Sequence, residues 1–272
     1  MEKLRKALDR AKEARRAPAS GGGAGKTELR AAVPRSDMPA YEYSETRTFD
    51  ADPELLENNR ILSPRATTPS ADAFRMLRTQ VAQRLNEHGW RTLAVVSPCR
   101  GDGRTLAAVN LAVTLAADPR HSVLLCDLDL REPGIAPLFG LVPEAGVDDV
   151  LAGRAQVEDC LVHPRGFDRL VLLPARAPLA SSSEHLASAA TKQLVGELRE
   201  RYPDRILIFD LPAVLVADDA LAFSACVESA MLVVTEGTTR RDDIVRTLEI
   251  MRNTPVVGTL LNRSLARVVP VG

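Results

Sequence analysis

The segment Ser97-Pro-Cys-Arg-Gly-Asp-Gly-Arg-Thr105 decides the fold of this 272-residue chain. The apolar run Leu93–Val96 enters it and the helical pattern Leu106–Val113 leaves it. Strand, glycine loop and helix therefore stand in the order that a phosphate-binding loop requires. Such a loop aims backbone N–H groups at an anion, and the helix N-terminus adds its partial positive charge. Gly101, Asp102, Gly103, Arg104, Thr105 and Leu106 are the expected phosphate-binding residues, with the Thr105 hydroxyl placed to ligate Mg²⁺. Arg104 stands where such loops carry a lysine.

Working outward, short β-rich runs recur at 123–126, 170–173, 206–209, 231–234 and 256–261, with helical stretches between most of them. Runs that are apolar on both faces and separated by helices predict an α/β fold: a mostly parallel sheet with helices on both faces. Ligands then belong at the carboxyl ends of the strands. Three carboxylates fall there, Asp127 and Asp129 after one strand and Asp210 after another. An Asp in such a place can hold Mg²⁺, and a second can orient or deprotonate an attacking hydroxyl. The same residues could instead cap turns and a helix. It is their company with the glycine loop that points to chemistry.

Upstream, residues 1–16 space Leu4, Ala7, Leu8 and Ala11 helically among charges, which predicts a basic amphipathic helix suited to solvent or a docking partner. Residues 17–49 lack sustained periodicity and read as a flexible linker. The linker includes Gly21-Gly-Gly-Ala-Gly-Lys-Thr27, closer in letters to a phosphate loop but with no strand before it and no adequate helix after it. A helix is expected over Ser70–Leu85, with Ser70 as N-cap and Phe74, Leu77, Val81 and Leu85 on one face. The main domain is expected over 50–263, followed by a short tail, 264–272.

Net charge of −1 and 4% aromatic residues argue against a nucleic-acid partner recognised by bulk charge or stacking. Cys99, Cys126, Cys160 and Cys226 are too widely spaced for a zinc or redox motif and read as reduced thiols of a cytoplasmic protein. No apolar run reaches the roughly 18 residues of a membrane span. Membrane association is expected only peripherally, through a partner.

Several motifs together resemble the bacterial tyrosine kinases of the capsule and exopolysaccharide type, within the deviant Walker P-loop ATPases related to the Min and Par proteins. The resemblance covers residues 50 to 263. Gly101–Thr105 resembles the family's Walker A, Leu124-Leu-Cys-Asp-Leu-Asp-Leu-Arg131 its Walker A′, and Ile206-Leu-Ile-Phe-Asp210 its Walker B. Gly146–Gly153 is similar to the segment after A′, and Leu260-Leu-Asn-Arg263 to the last strand.

By resemblance, ATP and Mg²⁺ are implied, with Thr105, Asp127 and Asp210 at the metal and Asn262 at the base. Asp127 would accept the tyrosine proton, with Asp129, Arg104 and Arg131 on the γ-phosphate side. Asp72, Arg75 and Arg78 resemble a subunit-contact motif with Asp in place of Glu, which implies a homo-oligomer. The nearest variety is the exosortase-associated autokinase, whose activator is a separate inner-membrane polysaccharide co-polymerase or chain-length regulator. The family's tyrosine-rich tail is missing, leaving Tyr41 and Tyr43 as candidate phosphoacceptors and Tyr202 as a packed residue. Two alternatives stand beside the kinase: a Min- or Par-like ATPase switch, against which Cys99 replaces the early loop lysine, and a catalytically weakened nucleotide-binding scaffold.

Overall fold

The computed structural model describes residues 46–201 and 204–264. The expected N-terminal helix, most of the linker with its second glycine loop, the end of the tail, and Tyr41, Tyr43 and Tyr202 lie outside them.

Among the described residues eight strands form one sheet: β1 (Arg47–Phe49), β2 (Thr92–Val96), β3 (Ser122–Asp127), β4 (Val162–Pro164), β5 (Leu170–Leu173), β6 (Arg205–Asp210), β7 (Ser229–Thr235) and β8 (Val256–Asn262). Their order is β1-β4-β5-β3-β6-β2-β7-β8, and every pairing is parallel except β4 with β5. The strands β1 and β4 are additions to the expected sheet. At three residues each they are too short to print a period on the sequence, and β1 occupies the last residues of the stretch read as linker.

Strand alternation divides the core in two. Ala94, Val96, Leu124, Cys126, Leu207 and Phe209 point into one apolar cluster. Their neighbours Leu93, Val95, Val123, Leu125, Ile206 and Ile208 point into the other. Both clusters are closed by helices, which is why the central strands are buried at every position and mostly apolar. The helices that matter to the site are α1 (Pro53–Asn58), α2 (Pro69–His88), α3 (Arg104–Ala116), α4 (Ile135–Leu138), α5 (Val147–Leu151), α6 (Val157–Cys160), α7 (Ser182–Ala187), α8 (Ala189–Arg201), α9 (Asp219–Phe223) and α10 (Arg241–Ile250).

The central helix, α3, is buried along nearly its whole length, and its alanines at 107, 108, 112 and 116 let it lie close to the sheet. Its buried Asn110 accepts from the Leu62 N–H at 2.8 Å and donates to the Arg60 carbonyl at 3.0 Å, fastening the segment after α1. Helix α2 starts at Pro69, one residue before the expected Ser70, and runs on to His88. Thr68, not Ser70, is the N-cap, because its Oγ1 accepts from the Ala71 N–H at 3.2 Å and Pro69 takes the first helical position. Val81 and Leu85 are buried on its inner face, and Phe74 and Leu77 pack beside them. All four cysteines are free thiols.

Candidate active site

The glycine loop runs from the end of β2 into α3. Gly101 and Gly103 both adopt left-handed backbone, with φ of 82° and 80°, conformations that side chains disfavour. No side chain among the described residues caps the α3 N-terminus, which leaves its first-turn N–H groups for a ligand.

Asp102 holds this loop in shape. Its carboxylate accepts from the Cys99 N–H at 2.9 Å and from Thr239 Oγ1 at 2.7 Å. Its carbonyl accepts from Asn262 Nδ2 at 2.8 Å and more weakly from Thr235 Oγ1. The side chain of Asn262, the expected base reader, is thus seated on the loop and linked to it from the end of β8. The threonines after β7 were not singled out in the sequence, since hydroxyls in a turn carry no pattern of their own.

A cleft of about 230 Å³ opens beside the loop, lined by Gly101, Gly103, Arg104, Thr105, Asp129 and Arg131. An apolar lip of Ala213 and Val216 closes one side, and Val216 is half exposed. Across the mouth Arg100 pairs with Glu132 at 2.6 Å. Arg131 is anchored from behind: its Nε donates to buried Asp219 at 2.8 Å, and Asp219 also accepts from Ser182 Oγ. Neither Ser182 nor Asp219 belongs to a recognisable motif.

Arg104 lies under the cleft and is nearly buried. Its Nη2 donates to Asp129 Oδ2 at 2.5 Å and its Nε to Asp210 Oδ1 at 2.9 Å, with Ser97 Oγ 3.4 Å from Nη1. Burial opposes its charge, but Asp210 and Asp129 outweigh burial and raise its pKa.

Asp127 and Asp210 are register partners at the ends of β3 and β6, both fully buried. One Asp127 oxygen accepts from the Gly134 and Ile135 N–H groups at 3.0 and 2.9 Å, so this residue does cap the turn into α4. Its Oδ1, and Oδ2 of Asp210, have no hydrogen-bond partner among the described residues. Burial and the neighbouring Asp210 push the Asp127 carboxyl well above the usual range. Burial also raises Asp210, against the pull of Arg104 and the adjacent Thr105 hydroxyl. Asp129 spends its second oxygen on the Glu132 N–H at 3.1 Å.

The remaining expected site residues lie away from this cleft, on α2. Arg75 donates to Asp72 at 2.6 Å and to the Ala66 carbonyl at 2.7 Å, and Arg78 is half-buried three residues on.

A glycine loop seated between a sheet and a helix N-terminus, with carboxylates on the two adjoining strand ends, defines a P-loop domain of the deviant Walker type. No family model matches the chain. The tyrosine-protein kinase YwqD of Bacillus subtilis is 25% identical over 209 residues, spanning 76% of this chain and 86% of that protein. The succinoglycan biosynthesis transport protein ExoP of Rhizobium meliloti is 30% identical over 213 residues, 74% of this chain but only 26% of the longer protein. Among solved structures, the VpsO kinase domain superposes with a TM-score of 0.62 at 27% identity, over 72% of this chain and 96% of that one. The cell division ATPase MinD of Pyrococcus furiosus gives 0.54 at 26% identity, over 66% and 76%. The chain's relatives are bacterial tyrosine kinases, and its fold is the one that those kinase domains share with MinD.

Proposed function

We propose that this chain is an ATP-dependent protein tyrosine kinase, acting on itself or on a second copy, that regulates the biosynthesis and export of an exopolysaccharide. The observation that carries this reading is the loop 101–105 beside Asp129, with Arg104 joining Asp129 to Asp210 and Asp127 in register with Asp210 at the adjoining strand end. Kinship with YwqD and ExoP supplies the acceptor class and the setting.

In this reading the loop N–H groups and the α3 N-terminus hold the triphosphate, and Arg131, stiffened by Asp219, faces the γ-phosphate side. The phenolic oxygen of a tyrosine attacks the γ-phosphorus, the bond to the bridging oxygen of ADP breaks, and the phenolic proton passes to Asp127 Oδ1. That oxygen has no hydrogen-bond partner among the described residues, and burial beside Asp210 raises its affinity for a proton. The Asp210 oxygen that has no hydrogen-bond partner among the described residues fits a hard divalent ion together with the Thr105 hydroxyl. Mg²⁺ held there would neutralise charge developing on the phosphates. Asn262 steadies the loop and contacts the base. Tyr41 and Tyr43 are the acceptors, Asp72, Arg75 and Arg78 the subunit contact, and a separate inner-membrane chain-length regulator the activator, as in exosortase-associated autokinases. Among the described residues no helix is long and apolar enough to cross a membrane.

The test is transfer of label from γ-labelled ATP to tyrosine in the presence of a cytosolic activator fragment. Phosphotyrosine that survives Asp127→Ala removes the base, and none from the wild type removes the kinase. A second reading, a nucleotide-binding scaffold with weakened catalysis, is favoured by the commitment of Arg104 to two carboxylates. It predicts binding without label.

A further inference from the structure

The guanidinium of Arg104 bridges Asp129 and Asp210, one on each of two adjoining strand ends, with the side chain only 9% exposed. A lysine in the same place is a single point charge, whereas the arginine fork presents separate N–H groups to two carboxylates at once. The bridge therefore depends on the residue that departs from the usual loop. Its electrostatic consequence is local: Asp129 and one oxygen of Asp210 already have a cation, 2.5 and 2.9 Å away, supplied by the chain. Two of the three carboxylates are thus paired from within the chain, and the backbone N–H groups of the loop stand free of that bridge.

We propose that Arg104 is the resident counter-cation of this site, standing in for a divalent ion at Asp129 and Asp210, so that the loop takes a nucleoside diphosphate or triphosphate without requiring a divalent metal. In the usual arrangement a metal ion helps to reconcile the phosphates with nearby carboxylates. Here the guanidinium does so before the nucleotide arrives. Phosphoryl transfer is a separate matter, because a metal could occupy the full carboxylate set only if Arg104 released Asp210. The inference rests on the phosphate-loop reading of residues 101–105.

The experiment is equilibrium binding of ADP to the full chain by calorimetry, in excess Mg²⁺ and in excess EDTA, for the wild type and for Arg104→Lys. The wild-type dissociation constant is expected to agree within about threefold between the two conditions, and the lysine variant to bind at least about tenfold more tightly with Mg²⁺. A wild-type preference for Mg²⁺ of about tenfold or more overturns the inference and leaves the phosphate loop standing. Absence of ADP binding in both conditions overturns the loop reading as well. Should Arg104→Lys fail to fold, Mn²⁺ titration of wild-type chain followed by electron paramagnetic resonance keeps the question open to refutation. No bound Mn²⁺ is expected without nucleotide, and saturable binding that Asp210→Asn abolishes would refute the proposal.

Discussion

Asp127 and Asp210 emerge side by side from β3 and β6, and each keeps one buried oxygen with no hydrogen-bond partner among the described residues. Two carboxylates in that position repel each other and forgo hydration, so the folded chain carries a local electrostatic cost. Because burial raises Asp127 in the folded state, that state binds its proton more tightly than the unfolded chain does. The contribution to stability is greatest at or below the ordinary carboxylate range and is lost as pH rises through the native value. Asp127→Asn should remove that decline and stabilise the nucleotide-free chain by about 1 kcal/mol, seen as about 2–4 °C in calorimetric Tm. The same variant should transfer no phosphate. A fall in Tm with an unchanged pH slope would show that the carboxylate is not strained.

Arg104→Ala should behave in the opposite sense. Removing the guanidinium leaves Asp129 and Asp210 buried without their cation, and breaking such a pair costs about 3–5 kcal/mol. Thermal unfolding should drop by about 6 °C or more. Adding Asp210→Asn should recover part of the loss, because one of the two stranded charges goes with it. Equal destabilisation by the single and double variants would mean that the bridge adds nothing beyond packing.

The difference between these two variants marks what the sequence makes legible. Glycine spacing, flanking apolar runs and acidic strand ends are local patterns, so the sheet's central strands, Gly101–Thr105 and the carboxylates of β3 and β6 can be read in order. The partner of Arg104 cannot, because Asp129 and Asp210 meet it from 25 and 106 residues away. Ser182 and Asp219 behind Arg131 are invisible for the same reason, being joined only by packing of α7 against α9. The strands β1 and β4 are three residues long, short enough that tertiary pairing alone defines them.

The charges on α2 allow a test of assembly. Arg75 is satisfied within its own chain by Asp72 and the Ala66 carbonyl, which leaves Arg78 as the position whose reversal perturbs the fold least. Arg78→Glu should weaken self-association by about tenfold in light-scattering measurements across a dilution series, with Tm changed by less than about 0.5 kcal/mol equivalent. Unchanged mass at every concentration would assign these charges to a solvated helix face.

Substitution can separate the loop tie that Asn262 makes from the base contact proposed for it. Its Nδ2 donates to the Asp102 carbonyl, and a side chain at Gly103 would collide with that same amide while forcing a non-glycine residue to φ of 80°. Gly103→Ala should therefore destabilise the chain by about 1–3 kcal/mol and lower affinity for nucleotide of any base. Asn262→Ala removes the tie while leaving Gly103 its room. If the amide only steadies the loop, ADP, GDP and inorganic pyrophosphate should all weaken by a similar factor. If it also contacts the base, the loss for ADP should exceed that for pyrophosphate by about tenfold, since one hydrogen bond in a shielded site contributes about 1 kcal/mol or more. Equal losses for all three ligands would remove Asn262 from base recognition and keep it as part of the loop's support.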